Sequence, residues 1–251
     1  MQDLGKIIND YMPISLSEMD SVKLLNRLDK KYILPSSKLI EILRELIQDY
    51  YILQINDVRN CRYTTVYYDT DDFMLFRQHQ NGKMNRYKVR FRRYEDSDVN
   101  FFELKFKNNK SRTIKERLET NTFKPELTRK KTEFLEKKTQ FIAAEFKPVI
   151  TIHYRRMTLV SKEMNERMTI DTDLWFENNN ARSDYNNLVI IETKQGGNIH
   201  SYASEVLRNY HIHGFSISKY CLGIVSLYNE VKKNRFKVKQ MKINKICYEC
   251  N

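Results

Sequence analysis

The chain has 251 residues, 41% hydrophobic and 30% charged, with a formal net charge of +12. This balance belongs to a globular protein of one large domain, excludes a disordered chain, and implies a polyanionic partner: nucleic acid, an acidic membrane surface or phosphorylated small molecules. Six glycines and four prolines leave no low-complexity linker, and no run of about 18 apolar residues offers a transmembrane helix.

Met1-Gln2-Asp3 lacks the basic-then-apolar pattern of a signal peptide, so the expected location is the cytoplasm. Residues 1 to 26 read as a mostly polar helical lead-in, with Leu16, Met19, Val22 and Leu25 in loose periodicity. Arg27 to Leu34 alternates as a strand, placing Asp29 and Lys31 on one face and Leu28 and Tyr32 on the other. Pro35 stops it, and Ser36 or Ser37 caps a helix from Lys38 to Ile47.

Arg62 to Tyr68 is the next strand. The acidic group from Asp69 to Asp72 that follows lacks EF-hand spacing, so it is expected to cap or turn the chain and not to bind calcium. Asn81-Gly82 predicts a hairpin. It precedes the most informative stretch, Arg86 to Lys107. There Arg86, Lys88, Arg90 and Arg92 share one strand face and Tyr87, Val89 and Phe91 the other. Glu103, Lys105 and Lys107 then oppose Phe102, Leu104 and Phe106. Like charges lined up on adjacent strands repel, so an anionic guest is expected to offset them.

Thr113 to Glu119 repeats the pattern with Lys115 and Arg117, and residues 126 to 146 predict an amphipathic helix. Val149 to Arg156 puts Tyr154 and Arg156 on one face; Arg167 to Asp173 aligns Arg167, Thr169, Asp171 and Asp173. Asn178 to Asn187 reads as a loop. Leu188 to Lys194 then aligns Ile190, Glu192 and Lys194. A helix from Ser201 to Tyr210, a turn at Gly214 and a last helix opened by Ser218-Lys219-Tyr220 follow. The run from Lys232 to Lys245 reads as a solvated basic tail, and the lone Cys247-x-x-Cys250 as an incidental reduced pair, not a zinc site.

The expected fold is α+β: a closed antiparallel β-barrel, an eight-stranded tunnel with a basic lumen and helices packed outside. An open sheet with its charged face in water is the alternative. Residues 1–230 would form this single domain and residues 231–251 the tail.

Read in order, Arg27-x-Asp-x-Lys-Tyr32, Val66-Tyr-Tyr-Asp-Thr70, Lys88-x-Arg-x-Arg92, Glu103-Leu-Lys105, Lys115-x-Arg117, Tyr154-x-Arg156, Arg167-x-Thr-Ile-Asp171, Ile191-Glu-x-Lys194 and Ser218-Lys-Tyr220 form a series. The series resembles VTC domains, the polyphosphate polymerase domains of the triphosphate tunnel metalloenzyme superfamily, over roughly residues 25 to 228. The resemblance implies an antiparallel β-tunnel that transfers the ATP γ-phosphate onto inorganic polyphosphate, with a divalent metal, manganese or magnesium. It implies catalytic roles for Arg90, Arg92, Lys105, Arg156 and Lys219. Substrate-binding roles fall to Lys31, Lys88, Lys115, Arg117, Tyr154, Arg167, Lys194 and Ser218, and the metal to Glu192. Glu103 is expected to orient its basic neighbours, and Asp171 either to do the same or to sit at a solvent-exposed strand end. A tunnel triphosphatase and a non-catalytic polyphosphate-binding module are the alternatives. Nucleic-acid binding is disfavoured, because the cations alternate along strands instead of forming one exposed stripe. Any membrane step would fall to a separate partner.

Overall fold

The computed structural model describes residues 2–21, 27–110, 112–197 and 200–248. Val22 and Leu25 of the expected lead-in, and Cys250 of the terminal pair, lie outside them. The described lead-in is two short helices, α1 (Gln2–Asp10) and α2 (Leu16–Ser21), separated by β1 (Pro13–Ile14). Strands β2 (Arg27–Pro35), β3 (Tyr50–Leu53), β4 (Cys61–Asp69), β5 (Arg86–Tyr94), β6 (Val99–Lys107) and β7 (Thr113–Thr120) follow in the first half. The second half supplies β8 (Lys147–Ser161), β9 (Glu166–Glu177), β10 (Arg182–Tyr185) and β11 (Leu188–Gly196). Helices α3 (Leu39–Leu46), α4 (Met74–Gln80), α5 (Arg129–Lys138), α6 (Tyr202–Asn209), α7 (Lys219–Leu227) and α8 (Lys237–Tyr248) complete the chain.

All eleven described strands belong to one sheet, whose main path runs β2-β11-β9-β8-β4-β5-β6-β7. Every step on that path is antiparallel. Among the described residues the end strands β2 and β7 are not hydrogen-bonded to each other, so the sheet is not closed into the expected hydrogen-bonded barrel. It nevertheless wraps. Lys31 of β2 and Lys105 of β6 line one cavity although they stand on the first and seventh strands of the path. A flat sheet would hold such strands about 29 Å apart, at about 4.8 Å per strand.

The apolar halves of the alternating strands face outward onto helices. Tyr32, Leu34, Met157, Leu159, Met168, Ile170, Val189 and Ile191 form one core with Leu43 of α3 and Val206 of α6. Val66, Tyr68, Val89, Phe91, Phe102 and Leu104 form another with Leu75 of α4 and Leu135 of α5. Helix α7 departs from the expectation of helices outside only. Its Tyr220, Cys221, Ile224 and Val225 pack with Ile33, Tyr67, Ile150, Phe176 and Ile190, on the inner face that also carries the cations. The close approach requires Gly223: a Cβ there would lie 2.1 Å from Ile150 Cδ1 and 2.8 Å from Phe176 Cδ1.

Three further expectations are corrected. Asn81-Gly82 ends α4 and makes no hairpin: the Asn81 N–H bonds Arg77 O at 2.9 Å, the Lys83 N–H bonds Gln78 O at 2.9 Å, and Gly82 has φ +71°. Helix C-termini and tight hairpins both want a left-handed glycine, so the dipeptide alone does not separate them. The asparagine-rich loop contains β10, which pairs with the end of β9. The basic tail includes the ordered helix α8. Ile243 is 1% exposed, Phe236 stacks on Phe76 with ring centroids 5.9 Å apart, and Asn187 Nδ2 donates to Cys247 O at 3.2 Å. Burial of that apolar edge outweighs the lysine content. Asp69 does cap, as expected: its carboxylate accepts from the N–H groups of Leu75 and Phe76 at the start of α4, at 2.8 and 2.9 Å.

Candidate functional site

Alternation turns one side chain in two toward the inner face, and there the cations converge. A cavity of about 160 Å³ is lined by Lys31 of β2, Lys88, Arg90 and Arg92 of β5 and Lys105 of β6. Arg156 of β8, Lys194 of β11 and Lys219 of α7 complete the ring. Arg90 and Arg92 are only 5% and 8% exposed. Arginines are tolerated at such depth only with compensation, and three carboxylates supply part of it.

Each carboxylate serves two cations. Glu103, wholly buried, takes Arg90 Nε at 2.6 Å and Nη2 at 2.5 Å, and Lys115 on its other oxygen. Asp171 takes Arg156 through two bonds, 2.5 Å from Nε and 2.8 Å from Nη2, together with Lys219. Glu192 sits between Lys194 and Lys31, the latter at 3.3 Å. Burial alone would raise all three acids, but the cations win. Arg156 and Lys219 hold Asp171 at about 2, Arg90 and Arg92 hold Glu103 well below the carboxylate range, and Lys31 and Lys194 do the same for Glu192.

The compensation is incomplete. Among the described residues Lys88, Arg92 and Lys105 make no ion pair; Lys88 donates to Ser218 Oγ at 2.9 Å and Arg92 Nε to Thr65 Oγ1 at 3.2 Å. The proximity of Arg90, with burial added, pushes the Lys105 ammonium well below its usual range. Burial is the main cause that lowers Lys219, to about 8.

The structure brings eleven expected site residues to this cavity: the eight cations, Tyr154, Ser218 and Glu192. Ser218 also caps α7, accepting from the Cys221 N–H, so the helix N-terminus opens beside the cations. Three expected residues lie elsewhere. Lys115 reaches the site only through Glu103. Arg117 stacks over the Phe101 ring, 4.8 Å to the centroid, and Arg167 donates to the Met19 carbonyl at 2.7 Å; neither lines the cavity. Sequence reasoning missed Thr65, Tyr67 and Ile152, which line it. Strand alternation in Arg62–Tyr68 was the available signal, since Thr65 and Tyr67 share a face opposite Val66 and Tyr68.

The inner cavity continues outward into a larger one of about 560 Å³, which shares Lys31, Lys88, Lys105, Glu192, Lys194 and Ser218 with it. An equally large cavity of about 560 Å³ beside Asn178 is of mixed charge, and its lysine, Lys147, is paired with Asp71. It does not suit a polyanion.

Among the described residues no three or more His, Cys, Asp or Glu side chains converge as a ready-made metal cage. Among the described residues Glu192 is the one carboxylate lining the inner cavity, ionised and 21% exposed. A single hard oxygen ligand of this kind fits a divalent cation shared with phosphate oxygens and water.

No curated protein matches the sequence. Among solved structures, PH1819 from Pyrococcus horikoshii OT3 is 14% identical with a TM-score of 0.44, over 79% of this chain and 98% of that one. A putative adenylyl cyclase from Hippeastrum, HpAC1, described as having a dominant triphosphatase activity, is 14% identical with a TM-score of 0.47, over 81% of this chain and 98% of that one. The family model of the VTC domain matches residues 26–228, the span holding every cavity-lining cation described above, and the chain belongs to the VTC domain family.

Proposed function

We propose that the protein is a metal-dependent polyphosphate polymerase that transfers the γ-phosphoryl group of ATP to the end of an inorganic polyphosphate chain. The observation that carries this reading is the charge imbalance of the inner cavity: among the described residues eight lysine or arginine side chains line it against one lining carboxylate, with Glu103 and Asp171 behind. An anionic oxygen array removes that repulsion through short charge-assisted hydrogen bonds.

Phosphoryl transfer asks mainly for positioning and neutralisation of non-bridging oxygens. Arg90 and Arg156 are held by Glu103 and Asp171 with their forks fixed, so they act as preformed clamps on equatorial oxygens. Lys88, Arg92 and Lys105, without ion pairs among the described residues, are the cations most in need of the guest. The Tyr154 hydroxyl has no protein partner among the described residues and stays a neutral donor, because burial raises its pKa. Glu192 would hold the divalent metal together with substrate oxygens, and the metal would neutralise charge on the transferred group. A terminal oxygen of the chain forms the new P–O bond to the γ-phosphorus as the bond to the ADP oxygen breaks.

The carboxylates speak for a phosphate acceptor over water. Glu103, Asp171 and Glu192 are all held below the range of an effective general base, which a water nucleophile would want and an ionised phosphate end does not. Inward-facing cations likewise favour a slender polyanion over duplex nucleic acid. Incubation with ATP and manganese, with products resolved on a gel, tests the proposal. Lengthening chains are expected; free phosphate without chain growth identifies a triphosphatase, and binding without turnover a non-catalytic module.

A further inference from the structure

The outer cavity holds more positive charge than the transfer reaction uses. Among the described residues it is lined by eight lysine or arginine side chains against two carboxylates, Asp29 and Glu192. Four of those cations do not reach the inner cavity: Lys30 of β2, Arg86 of β5, Lys107 of β6 and Lys239 of α8. Lys30 is exposed on its strand, and the other three are the ones that add to the site. Arg86 and Lys107 are register partners across the β5–β6 ladder, where a pair of like charges is ordinarily destabilising. Lys239 meets them from a separate element, which begins after the family match ends at residue 228.

The placement of α8 is specific. Phe236 and Ile243 sit in the apolar cluster beneath the cavity, Arg235 Nη1 donates to Gln80 O at 2.9 Å, and Lys242 lies over the Phe215 ring at 5.2 Å. These contacts hold Phe236, Lys239, Gln240 and Ile243 along the cavity wall. Asp29 and Glu192 offset part of this charge, and an anion between Lys239 and Arg86, Lys88 and Lys107 would offset more of it. His79, on the same wall, registers the same field: burial, with Lys88, Arg86, Lys239 and Lys107 added, lowers it to about 3.

Resting on the polyphosphate reading above, we propose that the outer cavity is a second phosphate-binding segment, built jointly by Arg86, Lys107 and Lys239, that holds the units of a polyphosphate chain distal to the end in the inner cavity. Its volume, about 560 Å³ against about 160 Å³, gives room for several such units, and the shared lining residues Lys31, Lys88 and Lys105 make the path continuous. The segment makes affinity depend on chain length: inorganic triphosphate fills the inner cavity, and only a longer chain reaches α8.

Calorimetric titration of the full chain with inorganic triphosphate and with a linear polyphosphate of medium length, at fixed salt, tests this. The wild type is expected to bind the longer chain about tenfold more tightly or better, and Arg86→Ala/Lys107→Ala/Lys239→Ala to lose most of that preference while holding triphosphate unchanged. Lys239→Gln alone, a milder change, is expected to reduce the salt slope for the longer chain by about 1. A charge-matched surface variant, Lys130→Ala/Lys137→Ala/Lys162→Ala, is expected to keep the preference. By NMR, the His79 pKa is expected to rise with the longer chain and not with triphosphate. Equal weakening of both ligands in the triple variant, an intact preference, or a wild type that binds triphosphate without preferring longer chains overturns the segment alone. A wild type that binds neither ligand overturns the polyphosphate reading with it.

Discussion

Arg156 and Asp171 are direct register partners across β8 and β9, and the guanidinium grips the carboxylate through two bonds of 2.5 and 2.8 Å. Because Asp171 also takes Lys219 from α7, this one acid ties the sheet to the helix that fills part of its inner face. Removing its charge leaves two cations uncompensated. Breaking one side of a buried pair costs about 3–5 kcal/mol. Asp171→Asn is therefore expected to lower ligand-free stability by about that much in urea titration, with part regained on adding inorganic triphosphate, which replaces the missing negative charge.

The same carboxylate sets an acid limit. Its pKa is 3.8 ordinarily and about 2 in the fold. A depressed carboxylate contributes stability that is complete above the unfolded pKa and is lost as the pH falls through the folded one. Unfolding monitored between about pH 4 and 2 is expected to show a steep loss in the wild type. The slope is expected to be shallower in Asp171→Asn, and identical slopes would contradict the assignment.

At the alkaline end Lys219 is the group to follow. Lowered from 10.5 to about 8, chiefly by burial, it loses its charge as the pH rises through that value in the free protein. Triphosphate affinity is expected to fall above about pH 8, and Lys219→Arg, whose guanidinium stays charged, to flatten the decline. An unchanged profile in that variant would assign the titration elsewhere.

Arg90 and Lys105 are expected to act at the transition state. Loss of one preformed donor typically costs a few kcal/mol of stabilisation, so Arg90→Ala and Lys105→Ala should each lower turnover of ATP by about tenfold to a thousandfold. Normal rates in both, from steady-state ADP release, would remove them from the reaction.

Gly223 tests the seat of α7. A methyl group there would meet Ile150 Cδ1 at 2.1 Å and Phe176 Cδ1 at 2.8 Å. Gly223→Ala is expected to cost about 1–3 kcal/mol through overpacking, measured by chemical denaturation. Trimming the neighbour in Gly223→Ala/Ile150→Val should return part of it.

The strand from Arg86 to Arg92 was legible because its period of two is local, and because inward charge and outward aromatics are written in adjacent letters. The partnership of Arg156 with Asp171 was not. It depends on the register of β8 against β9, which slips at an irregularity between His153 and Arg155. Arg117 keeps the expected face in the middle of β7 but lies over Phe101 on that face, and Arg167, near the start of β9, reaches the Met19 carbonyl; alternation fixes the face and not how far along the strand a long side chain reaches. The docking of the tail was not legible because its apolar contacts, Phe236 just before α8 and Ile243 within it, are diluted by lysines and have partners far away in sequence. Whether β2 and β7 meet is equally non-local, and alternation within strands cannot decide it.

Phosphorus NMR of the purified protein with ATP and manganese measures the central claim most directly, since it separates bridging phosphate, ADP and orthophosphate in one spectrum. Growth of the bridging signal in step with ADP, abolished by Glu192→Ala, is the predicted result. Accumulation of orthophosphate with no bridging signal would contradict it.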